Sequence, residues 1–165
     1  MFHKILTALD TVPSGETTPT ELSHNVFKTA LDIAKADNAV LVLLHVLSFD
    51  EQSSPSMPRP IGWEHFQSAD STALEVYREQ WQTYEQKSLE ILKSLAERAT
   101  TEGVTTEFHQ LADSPGRRIC EFAESEGIDL IVMGRRGLSG VNEFLMGSVS
   151  NYVLHRSSCS VLIYK

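Results

Sequence analysis

Cysteine is nearly absent from this chain of 165 residues: Cys120 and Cys159 are its only two. Their spacing forms neither a metal-binding knuckle nor a disulfide framework, so both are expected to be plain reduced thiols of a cytosolic protein. Basic charge is also scarce. Fourteen Lys and Arg stand against 22 Asp and Glu, a formal net charge of -8 with an isoelectric point near 5.2. A general nucleic-acid binder or a binder of anionic membranes needs a basic face, so both classes are set aside. Long apolar runs are missing too. None is long enough to span a bilayer, and the opening residues MFHKILTALD enter a strand without the apolar core of a signal peptide. The expectation is a cytoplasmic protein without membrane contact. The chain has no GxxxxGK[ST] P-loop, no SGGxDS loop and no HIGH-type signature.

What is present alternates between two periodicities. Residues Phe2 to Leu9 read as a strand buried on both faces, ended by Asp10. Thr11 to Thr20 is a polar loop with Pro13, Gly15 and Pro19, longer than most strand-to-helix connections. Leu22, Val26, Ala30, Ile33 and Ala34 recur at helical spacing, predicting a helix from about Glu21 to Ala36 that Asp37-Asn38 stops. Ala39 to Leu47 is the most apolar run and is expected to be a central strand. His45 interrupts it. The plain reading is a core or strand-end histidine bonded to backbone, and the alternative is a ligand or catalytic role. Ser48 to Gln67, with Pro55, Pro58 and Pro60, reads as a surface excursion anchored by Trp63 and Phe66.

A long helix is predicted from about Asp70 to Thr101, with Leu74, Trp81, Ser88, Leu92, Leu95 and Ala99 on one face and Gly103 as its stop. Val104 to Leu111 alternates like a half-exposed edge strand, with His109 directed to solvent. Ser114-Pro115 opens a helix that runs to about Glu126 and ends at Gly127. Ile128 to Met133 is the fourth strand, about Gly147 to Arg156 the fourth helix, and Ser160 to Tyr164 the last strand. Strand and helix alternate throughout. The expectation is a single α/β domain over residues 1–165: a three-layer sandwich with a parallel sheet and helices on both faces, joined by right-handed crossovers.

The stretch DLIVMGRRGLSGVNEFLMGSVS, Asp129 to Ser150, is where chemistry concentrates. A buried strand runs into Gly134, Gly137, Gly140 and Gly147, and then into a helix start at Ser148. Glycines let backbone N–H groups turn inward, and a helix N-terminus adds partial positive charge, so the stretch can cradle phosphate. The same glycines could equally do no more than turn the chain. In doubly wound sheets, ligands sit at the carboxyl ends of strands where the winding reverses. If the first and fourth strands are neighbours there, Asp10 and Gly134 share the mouth. Asp10 could then accept a hydrogen bond from a ribose hydroxyl, and Leu41 could flank a base.

These residues resemble the universal stress protein family. Gly134-x2-Gly137-x9-Gly147-Ser148 matches that family's nucleotide-binding signature, and HKILTALD, LVLLHV, IDLIVMGRRGLSG and LMGSVSNYVLHRSSCSVLIYK match it in order. The resemblance implies a flavodoxin-like, adenine-nucleotide-hydrolase-like fold with five strands in the order 3-2-1-4-5. It implies a homodimer through the last strand, Val161 to Tyr164. It implies ATP or another adenine nucleotide held by Gly134, Gly137, Gly147 and Ser148 at the phosphates, with Val149 offering backbone. Asp10 would sit near ribose and adenine, Ala8 and Leu9 would line the approach, Leu41 would contact adenine, and Met133 would flank the nucleotide. The chain departs from the family in its longer first loop, which leaves Ser14 unplaced, and in Ser160 where a proline is common. The expected function is an ATP-binding regulatory or stress-response module. The alternatives are a slow ATPase using Mg²⁺ or Mn²⁺ and a nucleotide-independent dimeric interaction module.

Overall fold

A computed structural model describes residues 1–10, 21–49, 54–56, 71–135 and 146–165. The expected Trp63 and Phe66 anchors, the Thr11–Thr20 loop, and Arg136, Gly137 and Gly140 lie outside the described residues.

Five parallel strands form one sheet in the order β3-β2-β1-β4-β5. They are β1 (Lys4–Ala8), β2 (Val40–Leu47), β3 (Thr106–Ala112), β4 (Leu130–Gly134) and β5 (Ser160–Tyr164). Four helices cover it: α1 (Glu21–Asp37), α2 (Ser71–Thr101), α3 (Pro115–Ser125) and α4 (Ser148–Arg156). The three inner strands are buried on both faces, which is why β1, β2 and β4 read as continuous apolar runs. Side chains alternate across the sheet. Ile5, Leu41, Leu43, Leu130 and Val132 pack with α1 and α2, whereas Leu6, Val42, Leu44, Ile131 and Met133 pack with α3 and α4.

Three of the helices end by one device, which is why the sequence signalled their ends. Asn38 (φ 53°), Gly103 (φ 87°) and Gly127 (φ 63°) take the left-handed conformation. The next residue then bonds back five positions: Ala39 N–H to the Ala34 carbonyl, Val104 to Ala99 and Ile128 to Ala123. Each helix is thereby turned directly into the following strand.

Several expectations need correction. Leu74, assigned to the inner face of α2, is 45% exposed. The packed stripe begins further along, at Trp81 and Tyr84, and Phe49 stacks on Trp81 at 4.6 Å. On β3 the outward and inward residues are not as the alternation suggested. Phe108 is exposed, and His109 lies half-buried against the Phe122 ring of α3 at 4.9 Å. β3 is an edge strand, so its two faces are covered unequally by the ends of α2 and α3 rather than by whole helices.

Candidate functional site

Strand register decides which residues meet. β1 pairs with β2 on one side and β4 on the other, with Ala8 level with both Leu44 and Met133. The first and fourth strands are therefore neighbours at the switch point, with α1 following one and α4 the other. Asp10, two residues past Ala8, and Gly134, one past Met133, leave the sheet at the same end. Ala8 and Asp10 are half-buried there, while Leu9 and Met133 are buried. The position is fixed from α1: Ser23 Oγ donates to the Asp10 carbonyl at 2.6 Å.

Gly134 faces α1 closely. A Cβ built on it would sit 3.0 Å from Leu22 Cγ and Cδ2, so any larger residue must displace Leu22. This is the close approach that the glycine permits. On the far side, Arg135 N–H donates to the Tyr164 carbonyl at 2.8 Å and carries the ladder one residue beyond β4.

α4 runs back along the parallel β5, so its N-terminus lies at the carboxyl end of the sheet. Nine residues of helix rise about 13 Å and five of strand about 16 Å, which brings Gly147 near the level of Gly134. Gly147 is the N-cap residue, and among the described residues no side chain caps the helix. The first N–H groups of a helix have no acceptor within it, as an anion site requires. Ser148 is exposed, Val149 is half-buried, and Ser150 is buried with its hydroxyl bonded to the Gly147 carbonyl at 3.0 Å.

Leu41 does not belong to this site. It is fully buried and pairs with Ile5 of β1 and Thr106 of β3, near the amino end of the sheet. Continuing the register upward puts Val46 level with Asp10, about 16 Å along the strand from Leu41. The structure thus puts Leu41 at the opposite end of β2 from the level of Asp10 and Gly134. Leu22, Ser23 and Val46 were missed because only strand pairing and helix docking bring them to the mouth. The run VLVLLHVL carried a usable signal: its carboxyl half, not its start, faces the switch point.

His45 also departs from expectation. It is 1% exposed, and neither ring nitrogen has a hydrogen-bond partner among the described residues. Burial pushes its pKa down to about 4, and the nearby Asp10 charge opposes that shift. The ring is therefore neutral at physiological pH. Tyr84 of α2 meets it edge-on at 6.3 Å. Asp113 lies at the same end of the sheet, beyond β3, but its carboxylate already accepts the Ser114 N–H at 2.6 Å and pairs with Arg117. The Ser114 N–H holds that carboxyl below its ordinary range, with Arg117 adding to the effect.

Among the described residues no group of three or more His, Cys, Asp or Glu could hold a metal ion, and no helix is long and apolar enough to cross a membrane. Cys120 and Cys159 are free thiols, and burial raises the pKa of Cys120.

Comparison with known proteins agrees with this fold. Residues 1–165 match the family described as the universal stress protein family. Universal stress protein YxiE of Bacillus subtilis is 32% identical over 166 residues, covering all of both chains. The fold matches a universal stress protein from Archaeoglobus fulgidus solved in complex with dAMP, with a TM-score of 0.59, 21% identity, and 99% and 98% of the two chains covered. It also matches an Arabidopsis thaliana universal stress protein family protein with AMP bound, with a TM-score of 0.62, 18% identity, and 99% and 91% covered. The chain belongs to the universal stress protein family.

Proposed function

We propose that this universal stress protein family member binds an adenine nucleotide, ATP in the first instance, at the carboxyl end of its sheet. It then acts as a regulatory or stress-response module through nucleotide-dependent conformation or partner binding. The observation that carries this reading is the adjacency of β1 and β4, which brings Asp10 beside Gly134 at the end where the uncapped start of α4 lies. The dAMP and AMP complexes of two relatives support the class of ligand.

In this reading Gly147, Ser148 and Val149 offer N–H groups and a hydroxyl to phosphate oxygens, and Gly134 lets the backbone come close. Asp10 accepts from the ribose, while Ala8, Leu9 and Met133 shape the wall. Gly137 is assigned to the phosphates by its place in the signature alone. Any Mg²⁺ or Mn²⁺ would enter with the phosphates, as magnesium commonly does, rather than sit in a protein cage. Efficient phosphoryl transfer needs a positioned metal and a group that orients the attacking water. No described residue is assigned either task, so binding is favoured over turnover. The same reading includes a homodimer through β5, an edge strand whose Val161, Leu162, Ile163 and Tyr164 are all half-buried.

Acid extraction of the purified protein, followed by calorimetry with ATP, ADP and AMP, tests the proposal. The expected result is a released adenine nucleotide and saturable binding. A protein that carries no nucleotide and binds none would sink the reading. Phosphate release that survives in a Gly134→Val, Gly147→Val double variant would be contamination rather than a slow ATPase.

A further inference from the structure

Below the mouth, two polar side chains are buried without partners. Thr7 is 0% exposed and its Oγ1 makes no hydrogen bond; His45 is 1% exposed and neither ring nitrogen makes one, among the described residues. Burying a hydroxyl or an imidazole without a partner is costly, and native structures rarely tolerate either. The two groups also share a place. β1 pairs Thr7 with Leu43, and His45 lies two residues further along β2 on the same face. That face is the one α1 and α2 cover, as Ile5, Leu41 and Leu43 show. Diagonal neighbours in a sheet stand about 7–8 Å apart, and the imidazole reaches across part of that gap. A direct bond is not made, but two hydrogen bonds through a water span about 5.5–6 Å.

We propose that Thr7 and His45 hold a buried water molecule directly beneath the strand ends, and that this water makes His45 a positioning residue for the mouth above it. The chemistry of the donor set fits water. A neutral imidazole offers one donor and one acceptor, and the threonine hydroxyl offers both, so a water can bond to each in either direction. Neither group carries charge to favour an anion or a cation. Leu9, 5% exposed and in the same α1- and α2-side core as Leu43, follows Ala8 at the level of His45, one step nearer the mouth than Thr7. The positioning effect runs through Asp10, which the register places one residue past the level of His45 on the neighbouring strand, close enough for its charge to act on the ring. A water that fixes the ring fixes the field beneath the Asp10 carboxylate. This second half rests on the nucleotide reading given above; the water site does not.

Nuclear magnetic resonance on the full chain tests the first half. At pH 7 the wild type should give a neutral His45 ring and a nuclear Overhauser contact from a long-lived water to His45 and the Thr7 methyl. Thr7→Val, which keeps the side-chain shape, should lose the water contact, and Thr7→Ser should restore it. Absence of that contact in the folded wild type would overturn the proposal. Calorimetry with ADP tests the second half. Thr7→Val and His45→Leu should each weaken binding about five-fold, the worth of one hydrogen bond, with Thr7→Ser near wild type. If Thr7→Val loses the water yet binds ADP like the wild type, the positioning role is overturned. A wild type that binds no ADP removes both the nucleotide reading and the positioning role, while the water contact still decides the site.

Discussion

The two ends of the same sheet treat their polar groups in opposite ways. At the amino end the groups are tied to one another. Asp129 accepts the N–H groups of His3 and Lys4 at 2.6 and 2.9 Å, and Asp37 accepts that of Phe2 at 2.6 Å. Lys4 Nζ bonds Glu126 at 2.9 Å and approaches Glu107 at 3.5 Å. At the carboxyl end, among the described residues, Thr7 and His45 are buried without partners and α4 begins without a side-chain cap. Both ends have carboxylates, hydroxyls and backbone donors. At the amino end carboxylates are used to hold backbone donors and close the fold, while at the carboxyl end the Thr7 hydroxyl and the His45 ring stay unpaired among the described residues. An end that gives up internal hydrogen bonds loses stability, and binding can return it, so the difference falls at the end where the proposed nucleotide site lies.

The comparison breaks first, and furthest, at His45. Its folded pKa of about 4 lies below its ordinary 6.5, so the unfolded chain takes up the proton first. Stability from this group is full above pH 6.5 and is lost as the pH falls through 6.5 toward 4. The drop of 2.5 units corresponds to roughly 3 kcal/mol. Urea unfolding from pH 7 to pH 4 should therefore show a steeper loss in the wild type than in His45→Leu. Parallel curves would mean that the ring is not held neutral.

The mouth itself comes next. Gly134→Val must push Leu22 aside and fill the approach, while Gly147→Val crowds the start of α4. The double variant should bind ATP at least about 100-fold more weakly, with a folding cost of only about 1–3 kcal/mol from overpacking. Near-normal affinity in calorimetry would place the phosphates elsewhere.

At the amino end the signs reverse. Asp129→Ala leaves two backbone N–H groups without their acceptor and should cost about 2 kcal/mol in urea unfolding while leaving ATP affinity unchanged. Those same N–H groups hold the Asp129 carboxyl below its ordinary value. Its contribution is therefore present above the unfolded carboxylate range and is lost as the pH falls through the lower folded value. A large loss of nucleotide affinity would erase the distinction between the ends. The smallest effect belongs to the exposed cluster of Lys35, Arg98 and Glu102. Glu102→Gln should leave the urea-unfolding midpoint close to that of the wild type, and closer still in high salt, because solvent screens such pairs.

Much of this was legible in the residues, for identifiable reasons. β5 was read residue for residue, and α1, α2 and α3 to within about one, because helix stops such as Asn38, Gly103 and Gly127 act locally. Leu74 and Phe108 were misplaced because their exposure depends on what covers the far end of a helix or the rim of a sheet. Leu41 stands at the amino end of a buried run whose carboxyl half, Val46 included, is the half that reaches the switch point.

The sequence by itself determined the alternation of strand and helix, the parallel class of the sheet, the family, and the helix start near Gly147-Ser148. The family rests on the resemblance of its motifs; the others rest on periodicity or on backbone freedom, and both are properties of short stretches. Only the tertiary structure decided that Asp10 stands beside Gly134, that Val46 rather than Leu41 reaches that level, and that Thr7 and His45 share one buried face. Those are statements about register between strands separated by up to about 120 residues of chain. Register is fixed by packing across the whole sheet, and local pattern does not contain it.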